Sequence, residues 1–208
     1  AIRLAHSRQR MEEFRHVCSM GKQMGVEFEM LTNSQIQELH PYIETHDLEG
    51  GQWDPLDGDI DPAQLTQALA RGAKNNGGKI IRFCPATNAQ RINDEWLITT
   101  PEGDITCEYV VNAAGYRAAE VGKMFGRNVP CVSLAHQYLI TEPIPELEAN
   151  KYKVPLLRDP DSSYYLRQEK DGLLLGPYEK NCRAHWTTSD DPMPEDFSFQ
   201  LYNDDLER

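Results

Sequence analysis

The chain has 208 residues, of which 39% are hydrophobic, and its 33 acidic and 21 basic side chains give a formal net charge of −12 at pH 7. This length can bury at least one hydrophobic core, in one large domain or two small ones. The acidic balance without a basic patch argues against a nucleic-acid-binding protein, and no apolar run approaches the ~20 residues of a membrane-spanning helix.

The cysteines and histidines give no indication of a metal site. Five cysteines are scattered along the chain without a Cys-x-x-Cys pair, so a structural zinc site is not expected. No two histidines have the i, i+4 spacing that would place both ligands on one helix face. Scattered thiols and the lack of a signal peptide indicate an intracellular, reducing compartment, either a bacterial cytoplasm or a mitochondrial matrix.

The N-terminal part is predicted to alternate helix and strand. Apolar residues spaced by three, four and seven predict a helix over residues 3–24. Apolar residues alternating with glutamates predict a half-buried strand over residues 26–30. Thr32 is followed three residues later by Gln35, a capping-box pattern that predicts a short helix ending before Pro41.

The middle of the chain has the pattern of a mixed α/β domain. Residues 50–59 predict a turn-rich loop, after which Asp61 can cap a helix with Pro62 in its first turn. A second hairpin is expected around Glu102-Gly103. The predicted strands of this region are residues 79–84, 87–92, 96–100 and 105–111.

After this domain the predicted elements are a helix, a long strand and a polar tail. Residues 116–125 predict a helix that Gly126 closes, and residues 131–141 predict a strand that carries His136. Residues 187–208 are acidic and polar, as in a mobile tail or a truncated helix.

The strongest local pattern is a β-hairpin near the C-terminus. Lys170-Asp171-Gly172 separates two strand-like runs, residues 164–168 and 173–175. Asp-Gly at this place favours a tight turn, because glycine takes the positive φ angle that such turns require.

Two further patterns can be interpreted in more than one way. Residues 109–115 are a strand that runs into a small-residue turn at a helix start, where a ligand can approach the backbone and an anion is favoured. The same pattern suits a tightly packed corner. His136 shares its predicted strand face with apolar residues, so it is either a hydrogen-bonded core residue or a site residue.

The hairpin at residues 164–179, together with Ala135-His136-Gln137-Tyr138, resembles the substrate-side sheet of the dimethylglycine dehydrogenase family. This family comprises flavin-dependent N-methyl amine oxidoreductases related to sarcosine dehydrogenase and dimethylglycine oxidase. The resemblance spans about residues 11–208 and implies α/β plus α+β architecture, as part of a two-dinucleotide-domain flavoprotein of the D-amino-acid-oxidase type. It implies substrate-domain segments at 1–56 and 131–186, an FAD-side mixed α/β segment at 57–130, and a separate tail at 187–208.

The resemblance also implies the site residues. Thr87, Ala114 and Gly115 match positions where the family contacts FAD. His136 matches a histidine of the amine pocket, and Tyr164 is its expected aromatic partner. Arg158 or Arg167 could bind a substrate carboxylate through a bidentate guanidinium contact, although surface salt bridges are the commoner role.

The family's opening Gly-x-Gly-x-x-Gly motif, the Rossmann pyrophosphate site, has no counterpart in this sequence. We therefore expect an internal fragment whose parent oxidises N,N-dimethylglycine to sarcosine with FAD. The alternatives are sarcosine-type oxidation and a non-catalytic fragment without cofactor. The resemblance further implies tetrahydrofolate bound by a separate domain and an electron-transfer flavoprotein as partner, with no nucleic-acid or membrane partner.

Overall fold

The computed structural model describes residues 1–150 and 152–186. These residues form two units, each made of two separate segments of the chain. Unit 1 contains residues 1–60 and 135–183, and unit 2 contains residues 61–134 and 184–186. The assignment of residues 1–56 and 131–186 to a substrate domain and of residues 57–130 to an FAD domain stays a prediction. The tail predicted for residues 187–208 lies outside the described residues.

Among the described residues, the helices and strands follow one another along the chain with one 3₁₀ turn, at Gly115–Arg117. In chain order the elements are β1 Ile2–Ala5, α1 Arg8–Gln23, β2 Glu29–Leu31, α2 Asn33–Leu39, β3 Gly50–Trp53, α3 Pro62–Asn75, β4 Asn88–Ile92, β5 Glu95–Thr99, β6 Ile105–Cys107, α4 Ala118–Met124, β7 Ser133–Leu134, β8 Leu139–Ile140, α5 Pro145–Glu148, β9 Leu157–Asp159, β10 Tyr164–Glu169, β11 Gly172–Pro177 and β12 Ala184–His185.

Unit 1 is built on a seven-stranded sheet with the order β2-β3-β1-β9-β10-β11-β8. β1 runs parallel to β9, and the other neighbouring strands are antiparallel. The sheet is therefore mixed, with an antiparallel half that contains the predicted hairpin. The mixed and antiparallel sheets agree with the predicted fold class.

The two faces of this sheet are covered differently. On one face, Ile2 and Leu157 pack with Ile36 of α2 in the main core. On the other face, Ala5 packs against Met11 and Phe14 of α1. Since side chains alternate between the faces of a strand, Arg3 and Arg158 lie on the α1 face.

The C-terminal hairpin has the predicted strands but a different turn. Glu169 pairs with Gly172, so Lys170 and Asp171 form the loop. The left-handed residue is Lys170, at φ 53°, and not the glycine. Glycine is needed at position 172 for space, because a Cβ atom there would lie 2.8 Å from Thr141 Oγ1.

Two segments near the N-terminus were predicted wrongly, and both are strands. Residues 3–5 belong to β1 and not to a helix, which begins only after Ser7 accepts a hydrogen bond from Arg10 N. Residues 50–53 form β3 and not a loop. Gly51 permits this close packing, since its Cβ would lie 2.8 Å from Arg3 O.

Three predicted strands are absent or shortened among the described residues. Residues 79–84 form no strand, and Phe83 has a left-handed φ of 57°. The strand predicted over 105–111 ends at Cys107. The long strand predicted over 131–141 is replaced by β7 and β8, with an irregular segment between them that contains His136.

The predicted helix starts are confirmed by their hydrogen bonds. Thr32 and Gln35 form the reciprocal capping box of α2. In unit 2, Asp61 Oδ1 accepts from Gln64 N, and Pro62 occupies the first turn of α3. Each cap satisfies N–H groups that have no partner inside the helix.

Unit 2 contains the antiparallel sheet β4-β5-β6 and a two-stranded pair of β7 with β12. The predicted turn before β6 is present, with Gly103 at φ 119°. Trp96 of β5 meets Phe125 at the end of α4, with ring centroids 5.0 Å apart. Among the described residues, no helix is both long and apolar enough to cross a membrane.

Candidate functional site

His136 is held by a carboxylate from the far end of the hairpin. Its Nδ1 atom lies 2.8 Å from Glu179 Oε2, although the two residues are 43 positions apart. A carboxylate that accepts the Nδ1 proton leaves Nε2 with a free lone pair, which is the tautomer able to accept a proton. The side chain of Glu179 is only 12% exposed.

Glu179 was not predicted from the sequence. Burial raises the pKa of its carboxyl, but the hydrogen bonds from His136 and from the backbone outweigh this and lower it overall. Glu179 therefore stays ionised and orients the imidazole. A single glutamate two residues after the end of β11 has no sequence pattern of its own, so only the contact reveals it.

Two tyrosines line the same side of the sheet next to His136. The Tyr178 ring lies edge-on to the His136 ring, with centroids 5.2 Å apart. The Tyr165 ring lies 5.9 Å from that of Tyr178. Gly176 makes room for Tyr165, because a Cβ atom there would lie 2.1 Å from Tyr165 Cε1.

Tyr164, the predicted partner of His136, points to the opposite face. It precedes Tyr165 in β10, and the two side chains alternate across the sheet. Burial raises the pKa of the Tyr164 phenol, and the negative charges of Asp159 and Asp47 add to this. The structure thus brings His136 together with Tyr178, and Tyr178 with Tyr165. The role predicted for Tyr164 stays a prediction.

Near Tyr164, His6 forms a separate polar cluster with Asp159 and Asp47. His6 Nε2 lies 2.8 Å from Asp159 Oδ2, and Asp159 is 2% exposed. Burial lowers the pKa of His6, but its hydrogen bond to Asp159 and the surrounding aspartates raise it overall. Asp159 Oδ1 accepts from the N–H groups of Asp161 and Ser162. These bonds fix the turn between β9 and β10.

A cavity of about 280 Å³ opens beside the tyrosines. Its lining comes from β1, from the β9–β10 turn region and from the end of the hairpin. The lining residues are Arg3, Arg158, Asp159, Pro160, Ser163, Tyr164, Tyr165 and Tyr178. On the α1 face, the guanidinium groups of Arg3 and Arg158 and the phenols of Tyr165 and Tyr178 make this a site that suits a small polar molecule carrying negative charge.

The predicted FAD-contact residues all lie in unit 2. The Thr87 N–H donates to Thr99 O at 2.9 Å, so this backbone donor is not available to a cofactor. Ala114 precedes the 3₁₀ turn and is similarly engaged, since its N–H donates to Asn112 Oδ1 and its carbonyl accepts from Arg117 N.

Gly115 has the geometry that best fits a cofactor contact. It is left-handed at φ 57°, and nothing in the described structure lies within 4 Å of the place where a Cβ would stand. A flat group could therefore approach this backbone closely. The FAD contacts of Thr87 and Ala114, whose backbone N–H groups are already engaged, and of Gly115 stay predictions. Among the described residues there is also no cluster of side chains that could hold a metal ion.

Comparison with known proteins identifies the family. A family model described as "FAD dependent oxidoreductase" (DAO) matches residues 1–203. The mitochondrial dimethylglycine dehydrogenase of Mus musculus is 39% identical over 100% of this chain and 24% of its own length. The mitochondrial sarcosine dehydrogenase of Homo sapiens is 35% identical over 98% of this chain and 21% of its own length.

Solved structures share the fold. The crystal structure of L-proline dehydrogenase from P. horikoshii matches with a TM-score of 0.74 at 24% identity, over 84% of this chain and 47% of that one. Glycine oxidase from Geobacillus kaustophilus matches with a TM-score of 0.66 at 19% identity, over 98% of this chain and 50% of that one. The chain spans about a quarter of the length of the curated relatives. It belongs to the family of FAD dependent oxidoreductases.

Proposed function

We propose that the protein carrying this chain oxidises N,N-dimethylglycine to sarcosine. The observation that carries the proposal is the His136–Glu179 pair beside the aromatic cavity, in a chain 39% identical to a dimethylglycine dehydrogenase. Bound FAD would supply the acceptor for a hydride from an N-methyl carbon. Thr87, Ala114 and Gly115 would hold part of it.

His136 prepares the amine for this reaction. Hydride loss needs the nitrogen lone pair, because that pair forms the C=N bond as the C–H bond breaks. His136 Nε2 accepts the proton of the substrate ammonium group, and Glu179 positions the ring. Water then adds to the iminium carbon, and formaldehyde and sarcosine are released. Tyr165 and Tyr178 are better placed than Tyr164 to flank the amine.

The test is an anaerobic titration of the purified protein with dimethylglycine, followed by flavin absorbance. We expect bleaching with wild-type protein and a kcat for His136→Ala lower by roughly 10²–10⁴-fold. His46→Ala, an exposed histidine, is the matched control. If His136→Ala lowered the melting temperature substantially together with turnover, the loss of activity would be explained by a structural role of His136.

Sarcosine is the second candidate substrate, because a sarcosine dehydrogenase is 35% identical. Parallel assays with both amines separate the two.

A further expectation is that the 208-residue chain alone neither binds FAD tightly nor turns over. A yellow purified chain that bleaches with amine would contradict it. Tetrahydrofolate and an electron-transfer flavoprotein remain predicted partners of the longer protein, and a mitochondrial matrix location is predicted if the source is eukaryotic.

A further inference from the structure

Three separate segments of unit 1 meet at His6, the residue that follows β1. The His6 Nε2 atom lies 2.8 Å from Asp159 Oδ2 at the end of β9, and Nδ1 lies 3.5 Å from Asp47 Oδ2 in the loop before β3. The His6 backbone N–H donates to Asp161 Oδ2 at 3.2 Å. Asp161 lies in the β9–β10 turn, residues 160–163. These contacts therefore join the start of α1 to two loops that are far from it in sequence.

Both ring nitrogens of His6 face a carboxylate, an arrangement that only the protonated ring satisfies. A neutral imidazole has one N–H and one lone pair, so it donates to one aspartate while its lone pair repels the other. The imidazolium donates from both nitrogens. Burial of the ring opposes protonation, but the hydrogen bond to Asp159 and the charges of Asp159, Asp47 and Asp161 raise the pKa of His6 overall.

The other polar groups around His6 do not replace it as the counter-charge of Asp159. Arg10 of α1 binds Asp161, with its Nε and Nη2 atoms 3.0 and 2.7 Å from Oδ1. The Tyr164 phenol hydrogen-bonds to Asp159 but is uncharged at neutral pH. Within the described ranges, His6 is thus the one ion-pair partner of Asp159, whose side chain is 2% exposed. Removing the counter-charge of a buried carboxylate is costly.

Asp159 in turn holds the β9–β10 turn, which forms one wall of the cavity. Its Oδ1 atom accepts from the N–H groups of Asp161 and Ser162, at 3.0 and 2.9 Å. Pro160 and Ser163 of this turn line the cavity. Ser163 has a left-handed φ of 57°, a conformation that a residue with a side chain keeps where the surrounding contacts impose it. The shape of this wall therefore depends on the contacts of Asp159.

We propose that protonated His6 is a clasp that holds the β9–β10 turn against the start of α1, and that this wall of the cavity loosens when His6 loses its proton. The clasp is fully closed below the ordinary histidine pKa of 6.5 and opens as the pH rises through the raised pKa of folded His6. A neutral ring keeps at most one of its two aspartate contacts, and Asp159 loses its counter-charge. The clasp acts whatever substrate the cavity takes.

Hydrogen–deuterium exchange of backbone amides, followed by ¹H–¹⁵N NMR at about pH 6 and about pH 8.5, tests the clasp in the purified protein. After correction for the intrinsic pH dependence of exchange, protection of the Asp161 and Ser162 amides should fall by roughly fivefold as the pH rises. This is the difference expected between a charge-assisted and a neutral hydrogen bond. The Thr141 amide, which donates to Leu173 O within the sheet, should stay within about twofold.

The His6 ring signals should titrate at the same pH as this loss of protection, above 6.5. Protection of Asp161 and Ser162 that does not change with pH, or a His6 ring that titrates at or below 6.5, would overturn the proposal.

Two variants assign the effect to the two aspartate contacts. His6→Gln keeps a neutral donor that cannot be protonated, so protection of Asp161 and Ser162 should be low at both pH values. Asp47→Asn removes the second carboxylate and should lower the pH at which protection is lost. Glu44→Gln, the same charge change at a 91% exposed position of the same loop, should leave that pH unchanged.

Persistence of the pH-dependent loss in His6→Gln would refute the clasp. So would equal titration of Asp47→Asn and wild type, a comparison that still decides the question if His6→Gln does not fold.

Discussion

The two units of this chain are stabilised in different ways. Unit 1 has a seven-stranded sheet with apolar layers that reach zero exposure, as at Ile2 and Leu157. In unit 2, the described residues classed as buried are Gly122 and His185 alone. Unit 2 instead depends on caps, turns, hairpin hydrogen bonds and contacts such as Trp96 with Phe125. The comparison shows that clear helix-cap and turn patterns in the sequence do not by themselves produce a buried hydrophobic core.

The largest expected effect is a core truncation in unit 1. Leu157→Ala should lower the free energy of unfolding by ~2–5 kcal/mol, because it leaves a cavity among Ile2, Leu4 and Ile36. Leu69→Ala in α3 of unit 2, where the side chain is 66% exposed, should cost less than ~0.5 kcal/mol. Urea unfolding followed by circular dichroism measures both. Similar costs would mean that the units do not differ as described.

Unit 1 should also be sensitive to acid through His40. Burial lowers the pKa of this histidine to about 4 from 6.5. Below pH 6.5 the His40 imidazole is protonated in the unfolded chain but stays neutral in the folded chain. The free energy of unfolding therefore falls as the pH drops from 6.5 towards 4. The expected loss is ~3 kcal/mol.

Chemical denaturation at several pH values checks this sign and size. His40→Leu should flatten the acid limb of the stability curve, whereas His16→Leu, at an exposed helix position, should not. An unchanged acid limb in His40→Leu would assign the acid sensitivity to other groups.

A glycine substitution should have opposite signs in the two units. Gly176→Ala in β11 places a Cβ atom against the Tyr165 ring and should destabilise unit 1 by ~1–3 kcal/mol. Gly72→Ala in α3 meets nothing within 4 Å and should stabilise the helix by ~0.5–1 kcal/mol. Thermal melts compare the two variants, and a neutral Gly176→Ala would show that the Tyr165 ring moves aside freely.

The smallest expected effect is at the most exposed aromatic residue of unit 2. Phe83 is 91% exposed, so Phe83→Ser should change stability by less than ~0.5 kcal/mol while reducing binding of a hydrophobic dye. Phe14→Ser, on the buried face of α1 in unit 1, is the contrasting control. A large loss of stability in Phe83→Ser would show that this ring is covered in solution.

The sequence alone determined the features that depend on neighbours in the chain. The capping box at Thr32, the Asp61-Pro62 helix start and the C-terminal hairpin all follow from residues within a few positions of one another. Their hydrogen bonds join residues that are near one another in sequence, so the sequence pattern is enough to predict them. The resemblance carried by the hairpin also led to the correct family.

The tertiary structure decided what depends on distant partners. Residues 2–5 became a strand because β3 and β9 lie on either side of them. Sheet register put Tyr165 and Arg158 on one face and Tyr164 on the other, and a contact over 43 positions gave His136 its carboxylate. No local pattern encodes such pairings, because their energy arises only when the strands are assembled.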